Sequence, residues 1–180
     1  MTDSLVRDSF TRLALVAALA LAPGCASKTY LAKDFGKAEK AAEEASPTGG
    51  SSLDQRRENM TRMYKDLGHF RTSLRDSQER GDRTTTNALG LFIGSYMEMH
   101  LDPLLDGEWQ SRHAELWGLD ADLRLAKADV LIRLNDKSRA SKTLDEVAQR
   151  YKGREDMLVH YPMGSESSLG QALKLLREGV

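Results

Sequence analysis

Residues 121–153 read ADLRLAKADVLIRLNDKSRASKTLDEVAQRYKG and contain two helical patterns separated by a turn. On both sides of Asn135-Asp136, apolar residues recur every three or four positions, which is the spacing of one face of an α-helix. Asn and Asp favour turns, and Gly153 is suited to end the second helix. The stretch therefore predicts a helix-turn-helix unit. Its apolar positions are Leu123, Ala126, Val130, Leu131 and Leu134 in the first helix, and Ala140, Leu144, Val147, Ala148 and Tyr151 in the second.

This unit resembles a tetratricopeptide (TPR) repeat, a helical hairpin of about 34 residues. In such repeats small residues let the paired helices approach, and large ones fill the groove left for the next unit. The chain departs from the family where Arg124 and Lys127-Ala128 replace its Trp and Leu-Gly, and where residues 151–153 replace its Pro-containing end. An ordinary antiparallel helix pair is the alternative. The resemblance is carried by Ala128, Leu131, Ala140, Leu144, Ala148 (one position late) and Tyr151.

A longer helical pattern precedes this unit. Between residues 53 and 74, apolar residues recur with a mean period of about 3.5 positions. Such a seam is normally buried against neighbouring helices, and pairing with another chain as a coiled coil is the alternative. Gly81-Asp82 interrupts the pattern, and Asp82 or Thr84 is suited to cap the next helix. The seam consists of Leu53, Met60, Met63, Leu67, Phe70 and Leu74.

Further helices are expected on either side of the helix-turn-helix unit. One is expected to end at Asp102-Pro103, because proline disfavours a helical conformation in the residue before it. The next is expected to begin near Glu108, with Trp109 and Trp117 on its apolar face, and a last one covers residues 169–176. No alternating strand pattern extends beyond a few residues. The predicted fold is all-α, with antiparallel helical hairpins forming a TPR-like or α-solenoid fragment after a flexible N-terminal tether.

The N-terminal segment has the zones of an export signal. Arg7 and Arg12 precede an apolar run over residues 13–22, which spans about 15 Å as a helix and is too short for a membrane span. Cys25 follows this run and is the only cysteine of the chain. The arrangement resembles a bacterial lipoprotein signal, in which the cysteine thiol takes a diacylglycerol. Ordinary secretion with a free thiol and an uncleaved cytosolic helix are the alternatives.

The resemblance implies three regions. Residues 1–24 are the signal peptide, residues 25–52 hold the lipidated Cys25 and a flexible tether, and residues 53–180 form the helical domain. In the lipoprotein family, Asp after the cysteine usually means retention in the inner membrane. Ala26 stands there in this chain, which implies an outer-membrane, periplasm-facing lipoprotein. No cofactor is expected apart from the diacylglycerol and acyl groups on Cys25.

The charges of the chain are balanced and interleaved. It holds 26 Lys and Arg against 27 Asp and Glu, a formal net charge of −1. A nucleic-acid binder would carry a basic patch or stripe, so no nucleic-acid partner is expected.

The sequence contains no catalytic or metal-binding motif of known spacing. His69, His100, His113 and His160 are not spaced as metal ligands, and no phosphate loop or nucleophile elbow is present. The carboxylate pair Asp120/Asp122 is expected in a solvated position. The chain is therefore not expected to be an enzyme or to bind a metal.

The expected function is that of an interaction protein. Aromatic residues and Met often anchor interfaces, and Tyr96, Met99, Trp109 and Trp117 are the candidates here, although core packing is the commoner role. The chain would be anchored to the membrane by its lipid and act as a scaffold or adaptor for another envelope protein. A structural subunit of a larger envelope complex is the alternative, followed by a periplasmic ligand-binding domain.

Overall fold

The structure is a computed structural model that describes residues 53–106 and 113–180. The predicted signal peptide, Cys25, the tether and Trp109 lie outside the described residues. Within these ranges the chain is mostly helical, which confirms the all-α prediction. The described elements are α1 (Leu53–Glu79), α2 (Arg83–Tyr96), a π-helical turn (Met97–Leu101), α3 (Asp102–Leu105), a 3₁₀ turn (Ala114–Leu116), α4 (Trp117–Arg133), α5 (Lys137–Arg150), β1 (Leu158–Val159), β2 (Ser167–Ser168) and α6 (Leu169–Arg177).

The apolar seam of α1 is buried from Met60 to Leu74, as its spacing predicts, whereas Leu53 at its start is partly buried. Met60, Leu67 and Leu74 are 0 % exposed, and α1 packs against α2 and α4. Because these side chains repeat every three or four residues, they form one stripe that both neighbouring helices cover. Among the described helices, none combines the length and apolar character that crossing a bilayer requires.

The turn between α1 and α2 is set by two adjacent residues. Gly81 has φ 66°, a left-handed conformation that costs glycine little. This conformation lets the N–H of Asp82 donate to the carbonyl oxygen of Ser77, which caps the end of α1. The Asp82 carboxylate then accepts from the N–H of Thr85 at 3.0 Å and caps the start of α2. Asp82 and Thr84 were the two residues suited to cap α2, and Asp82 is its N-cap.

The prediction that Asp102-Pro103 ends the second helix is wrong. The chain continues from α2 through the π-helical turn into α3, and the Asp102 N–H donates to the carbonyl oxygen of Met97, five residues earlier. In a regular α-helix the proline ring clashes with the preceding turn, and a wider π turn provides room for it. Pro103 also lies in the first turn of α3, where its missing N–H is tolerated.

The start of α4 also differs from the prediction. His113 is extended and a 3₁₀ turn follows it, so Trp117 begins α4 rather than lying on an earlier helix. Gly118 does not break α4. Burial along α4 offsets the cost of about 1 kcal/mol for a helical glycine.

The predicted turn at Asn135-Asp136 is confirmed. Asn135 has φ 60°, and Asp136 caps α5.

The chain after α5 forms a loop that we call the strap, residues 157–168. β1 and β2 close its base as an antiparallel pair, with Leu158 opposite Ser168 and Val159 opposite Ser167. With two residues in each strand, the sequence cannot show the alternation of apolar and polar residues that identifies a strand. The predicted last helix is confirmed as α6, which begins at a capping box formed by Ser168 and Gln171.

One apolar core lies where α4, α5, α6 and the strap meet. Small residues of α4 and α5 allow these helices to approach closely, and larger side chains fill the space toward α6. The buried members are Ala121, Leu125, Ala128, Leu144, Val147, Tyr151, Val159, Tyr161, Leu169, Ala172, Leu173 and Leu176.

Candidate functional site

A line of polar side chains lies between α1 and α4, beneath the strap; we call it the polar seam. It consists of Tyr64 and Arg71 on α1 and of Asp122 and Asp129 on α4. Each pair is seven residues apart and therefore shares one helix face. Asp122 is 4 % exposed and Asp129 is 6 % exposed. Buried carboxylates are costly unless they are paired, so the partners of these two groups define the site.

One end of the polar seam holds the backbone of His160. Asp122 accepts two hydrogen bonds from this residue, one from its backbone N–H at 2.6 Å and one from ring Nδ1 at 2.8 Å. The hydroxyl of Tyr64 donates to the backbone carbonyl oxygen of His160 at 2.5 Å. Desolvation, and secondarily the charge of Asp122, raises the pKa of Tyr64 to about 12. Two helices thus bind the N–H and the C=O of a single strap residue.

The other end of the polar seam holds Tyr161. Its side chain is buried, and desolvation followed by the charge of Asp129 raises the pKa of Tyr161 to about 12. Asp129 is in turn paired with two arginines, Arg71 Nε at 2.5 Å and Arg133 Nε at 3.4 Å. The contact with Arg71 is an ion pair without hydrogen-bond geometry. The carboxylate is therefore charge-compensated at this end.

A third contact fixes the strap farther along α1. The side chain of Met163 lies against Gly68, where an added Cβ would come within 2.8 Å of the Met163 Cε atom. Gly68 therefore leaves a depression that the thioether of Met163 fills. Three tip residues thus contact different positions on α1 and α4: His160 at Asp122, Tyr161 at Asp129 and Met163 at Gly68. Pro162 between them is exposed.

A second buried polar cluster ties α4 to its neighbours. Asp120 is 0 % exposed, and its Oδ2 accepts from Arg124 Nε at 2.9 Å and from the Tyr151 hydroxyl at 2.6 Å. Arg124 also donates to the carbonyl oxygen of Leu105 at the end of α3. Burial, and secondarily Asp120, raises the pKa of Tyr151. The expectation that Asp120 and Asp122 are solvated is wrong, because α4 has neighbours on almost every side.

The candidate interface residues have different surroundings. Tyr96 is 2 % exposed; its hydroxyl donates to Asp66 at 2.8 Å, and its ring packs edge-on against Phe70. It has no surface to offer a partner in this fold. Met99 is 57 % exposed, and Trp117 is partly buried beneath the guanidinium of Arg154, which lies 4.0 Å from the ring centroid.

The positions that carry the predicted TPR resemblance lie on α4 and α5, which pack against each other. Tyr151 is nearly buried and hydrogen-bonds to Asp120, whereas Ala148 is partly buried. The positions that are 0 % exposed are Ala128, Leu131, Ala140 and Leu144.

Sequence patterns missed the polar seam because its partners are far apart in the chain. His160 is 38 residues from Asp122 and 96 residues from Tyr64. The one signal in the sequence is the repeat of Asp122 and Asp129 seven residues apart on one face of α4. A pair of acids on one helix face is, however, more often solvated than buried.

The part of the chain that the structure describes contains no group of three or more side chains suited to hold a metal ion. Two open surface grooves, of about 580 Å³ beside α5 and α6 and about 520 Å³ on α1, include no residue of the polar seam. Comparison of the chain with protein-family models, curated proteins and solved structures finds no match.

Proposed function

We propose that the chain is a membrane-anchored lipoprotein whose helical domain acts as an adaptor for another protein of the bacterial cell envelope. The supporting observation is the burial of the α1 seam within a single chain, since Met60, Leu67 and Leu74 are inaccessible. A subunit whose apolar faces are completed by a partner would leave such a seam open. A closed body instead suits a protein that folds alone and then binds.

The arrangement of α4 and α5 supports a TPR-like architecture for this body. The small residues Ala128 of α4 and Ala140 of α5 are both 0 % exposed, and Leu144 of α5 lies in the same apolar core as Ala128. α6 packs on both helices, and contact of this kind between neighbouring units is what a helical repeat requires. Helical hairpins of this kind bind extended peptides or partner helices.

The proposed anchor is the lipid on Cys25. Two or more acyl chains hold a protein stably at a bilayer, because each buried CH₂ contributes about 0.8 kcal/mol. Restricting adaptor and partner to the same membrane raises their effective concentration, so a modest contact surface is sufficient. Met99, which is 57 % exposed beside α2, is our candidate for one such contact.

The anchoring proposal is tested by mass analysis and fractionation of the mature protein. We expect the chain to begin at Cys25, to carry the mass of diacylglycerol and acyl groups, and to sediment with membranes. Cys25→Ser should release it into the soluble fraction. An unmodified thiol on the mature chain, or membrane association of the serine variant, would refute the anchor.

The adaptor proposal is tested by photo-cross-linking in intact cells. A photoreactive side chain at Met99 should give a discrete cross-linked product that the Cys25→Ser background weakens. Leu175, which is 50 % exposed on α6, provides a matched control at an apolar surface position. Equal and diffuse labelling from both positions would argue against a specific partner at Met99.

A further inference from the structure

The strap is built as a loop whose tip can move while its base remains in place. The base is closed by the pairing of β1 with β2. Two backbone hydrogen bonds add to this closure: the Leu169 N–H donates to the Met157 carbonyl oxygen at 2.9 Å, and the Gly170 N–H donates to the Glu155 carbonyl oxygen at 2.8 Å. Loops with closed ends and self-contained packing are frequently functional. Only residues 160–166 extend beyond this base, and they carry the contacts to α1 and α4.

The contacts between the helices and the tip have the form of peptide recognition. Tyr64 and Asp122 bind the backbone C=O and N–H of His160, which any extended residue would present. Tyr161 and Met163 then supply the selective side-chain contacts, one beside Asp129 and one against Gly68. Main-chain hydrogen bonds with separate places for particular side chains are how extended segments are recognised.

We infer that the polar seam is a docking site for an extended segment of a partner protein, and that the strap tip is its built-in competitor. This inference rests on the adaptor function proposed above. The fitting segment has a hydrogen-bond donor side chain followed by a tyrosine, and an apolar side chain two residues after the tyrosine. The strap itself presents this order at His160, Tyr161 and Met163.

Charge restricts the partner further. Asp129 is compensated by Arg71 and Arg133, whereas the hydrogen bonds of Asp122 within the described residues come from His160. An acidic residue at the first position of the segment would therefore meet uncompensated negative charge. A neutral or basic side chain that donates a hydrogen bond therefore fits this first position.

Displacement of the tip requires only a local opening. Pro162, Gly164, Ser165 and Glu166 are exposed, and the tip is held mainly by polar contacts and one buried tyrosine. Regions with few buried apolar contacts open at a lower free energy than the core does. A tethered competitor has an effective concentration in the millimolar range for short flexible links, so it masks the site without abolishing it.

The test removes the competitor and supplies the same segment in trans. Val159 and Ser167 are opposed in the strand pair, so replacing residues 160–166 by Asn-Gly closes the hairpin with its commonest two-residue turn. A labelled peptide of residues 158–166 should bind this shortened chain at least about tenfold more tightly than the unmodified chain, as measured by fluorescence anisotropy. The shortened chain is first checked for its helical circular dichroism.

Two controls make the test specific. Adding Asp122→Asn to the shortened chain should weaken peptide binding about tenfold or more, because a charged acceptor is lost. Asp145→Asn, at an exposed position on α5, should leave binding unchanged. A peptide carrying Tyr161→Ala should bind no better to the shortened chain than to the unmodified one. A folded shortened chain that fails to bind the unaltered peptide overturns the inference.

Hydrogen exchange of the unmodified chain gives a second measurement if the shortened chain does not fold. The backbone N–H of His160 should exchange at least about tenfold faster than that of Tyr151, which caps the buried end of α5. Equal protection of the two amides would mean that the tip opens only on global unfolding, and would overturn the inference. Both measurements use purified protein, so their failure is distinct from a failure of the membrane-anchoring proposal.

Discussion

Leu67→Ala tests whether the α1 seam is closed within one chain. Leu67 is 0 % exposed in the middle of α1. Removing three carbon atoms forfeits about 2 kcal/mol of transfer free energy at about 0.8 kcal/mol for each buried CH₂. The cavity left behind adds a further cost, because the neighbouring helices relax only in part. Measured Leu→Ala changes in cores lie at about 2.7–5 kcal/mol, and we expect about 3–4 kcal/mol here.

The assay is urea unfolding followed by circular dichroism, at two protein concentrations tenfold apart. For a slope of about 2 kcal/mol per molar urea, the midpoint should fall by about 1.5–2 M, equally at both concentrations. Lys65→Ala, at an exposed position two residues earlier, is the matched control and should change stability by less than about 0.5 kcal/mol. A loss below about 1 kcal/mol, or a midpoint that rises with protein concentration, would refute a closed seam and favour an obligate subunit.

Three further perturbations address the caps and the polar seam. Asp122→Asn should lower the free energy of unfolding by about 1.5–3 kcal/mol, because the carboxylate that binds His160 loses its charge; an unchanged urea midpoint would contradict this. Stability should fall as pH rises from about 10 to about 12, since Tyr64 and Tyr161 keep their protons in the folded chain after the unfolded chain has released them. Tyr64→Phe should reduce that alkaline slope in unfolding experiments. Asp82→Ala should cost about 1 kcal/mol through loss of the α2 cap, a change that the urea midpoint reports.

The helices could be predicted where one face of a helix is exposed and the other is buried. α1 and α5 alternate apolar and charged residues with a helical period, so their faces and cores follow from the sequence. Residues 120–126 of α4 are instead all buried, and such a helix has little periodicity to mark where it begins. For this reason the sequence pattern assigns Trp117 to an earlier helix and predicts a solvated position for Asp120 and Asp122.

The candidate site was less predictable than the fold, for a physical reason. Periodicity reports which face of an element is buried, but not which polar partners meet across elements. The contacts of Tyr64 and Asp122 with His160 depend on how the strap crosses two helices, which no local pattern encodes. The turn residues Gly81 and Asn135 were recognisable because their conformation depends on neighbouring residues alone.

The buried cluster of Asp120, Arg124 and Tyr151 links two departures from the TPR pattern. Arg124 stands near where that family has its Trp, and Tyr151 belongs to the segment that replaces its Pro-containing end; both hydrogen-bond to Asp120 Oδ2. Because Arg124 and Tyr151 share this one buried carboxylate, the three residues should behave as one unit.

Single and combined substitutions distinguish this unit from three independent contacts. Arg124→Met should cost about 3–5 kcal/mol, because it leaves the Asp120 carboxylate buried without its cation. Tyr151→Phe should cost about 1.5–3 kcal/mol through the lost hydrogen bond to a charged acceptor. The triple variant Asp120→Leu, Arg124→Met and Tyr151→Phe should be more stable in urea than Arg124→Met alone, since no buried charge remains. If the losses of Arg124→Met, Tyr151→Phe and a single Asp120→Leu variant instead add up in the triple variant, the three residues are independent and do not act as one unit.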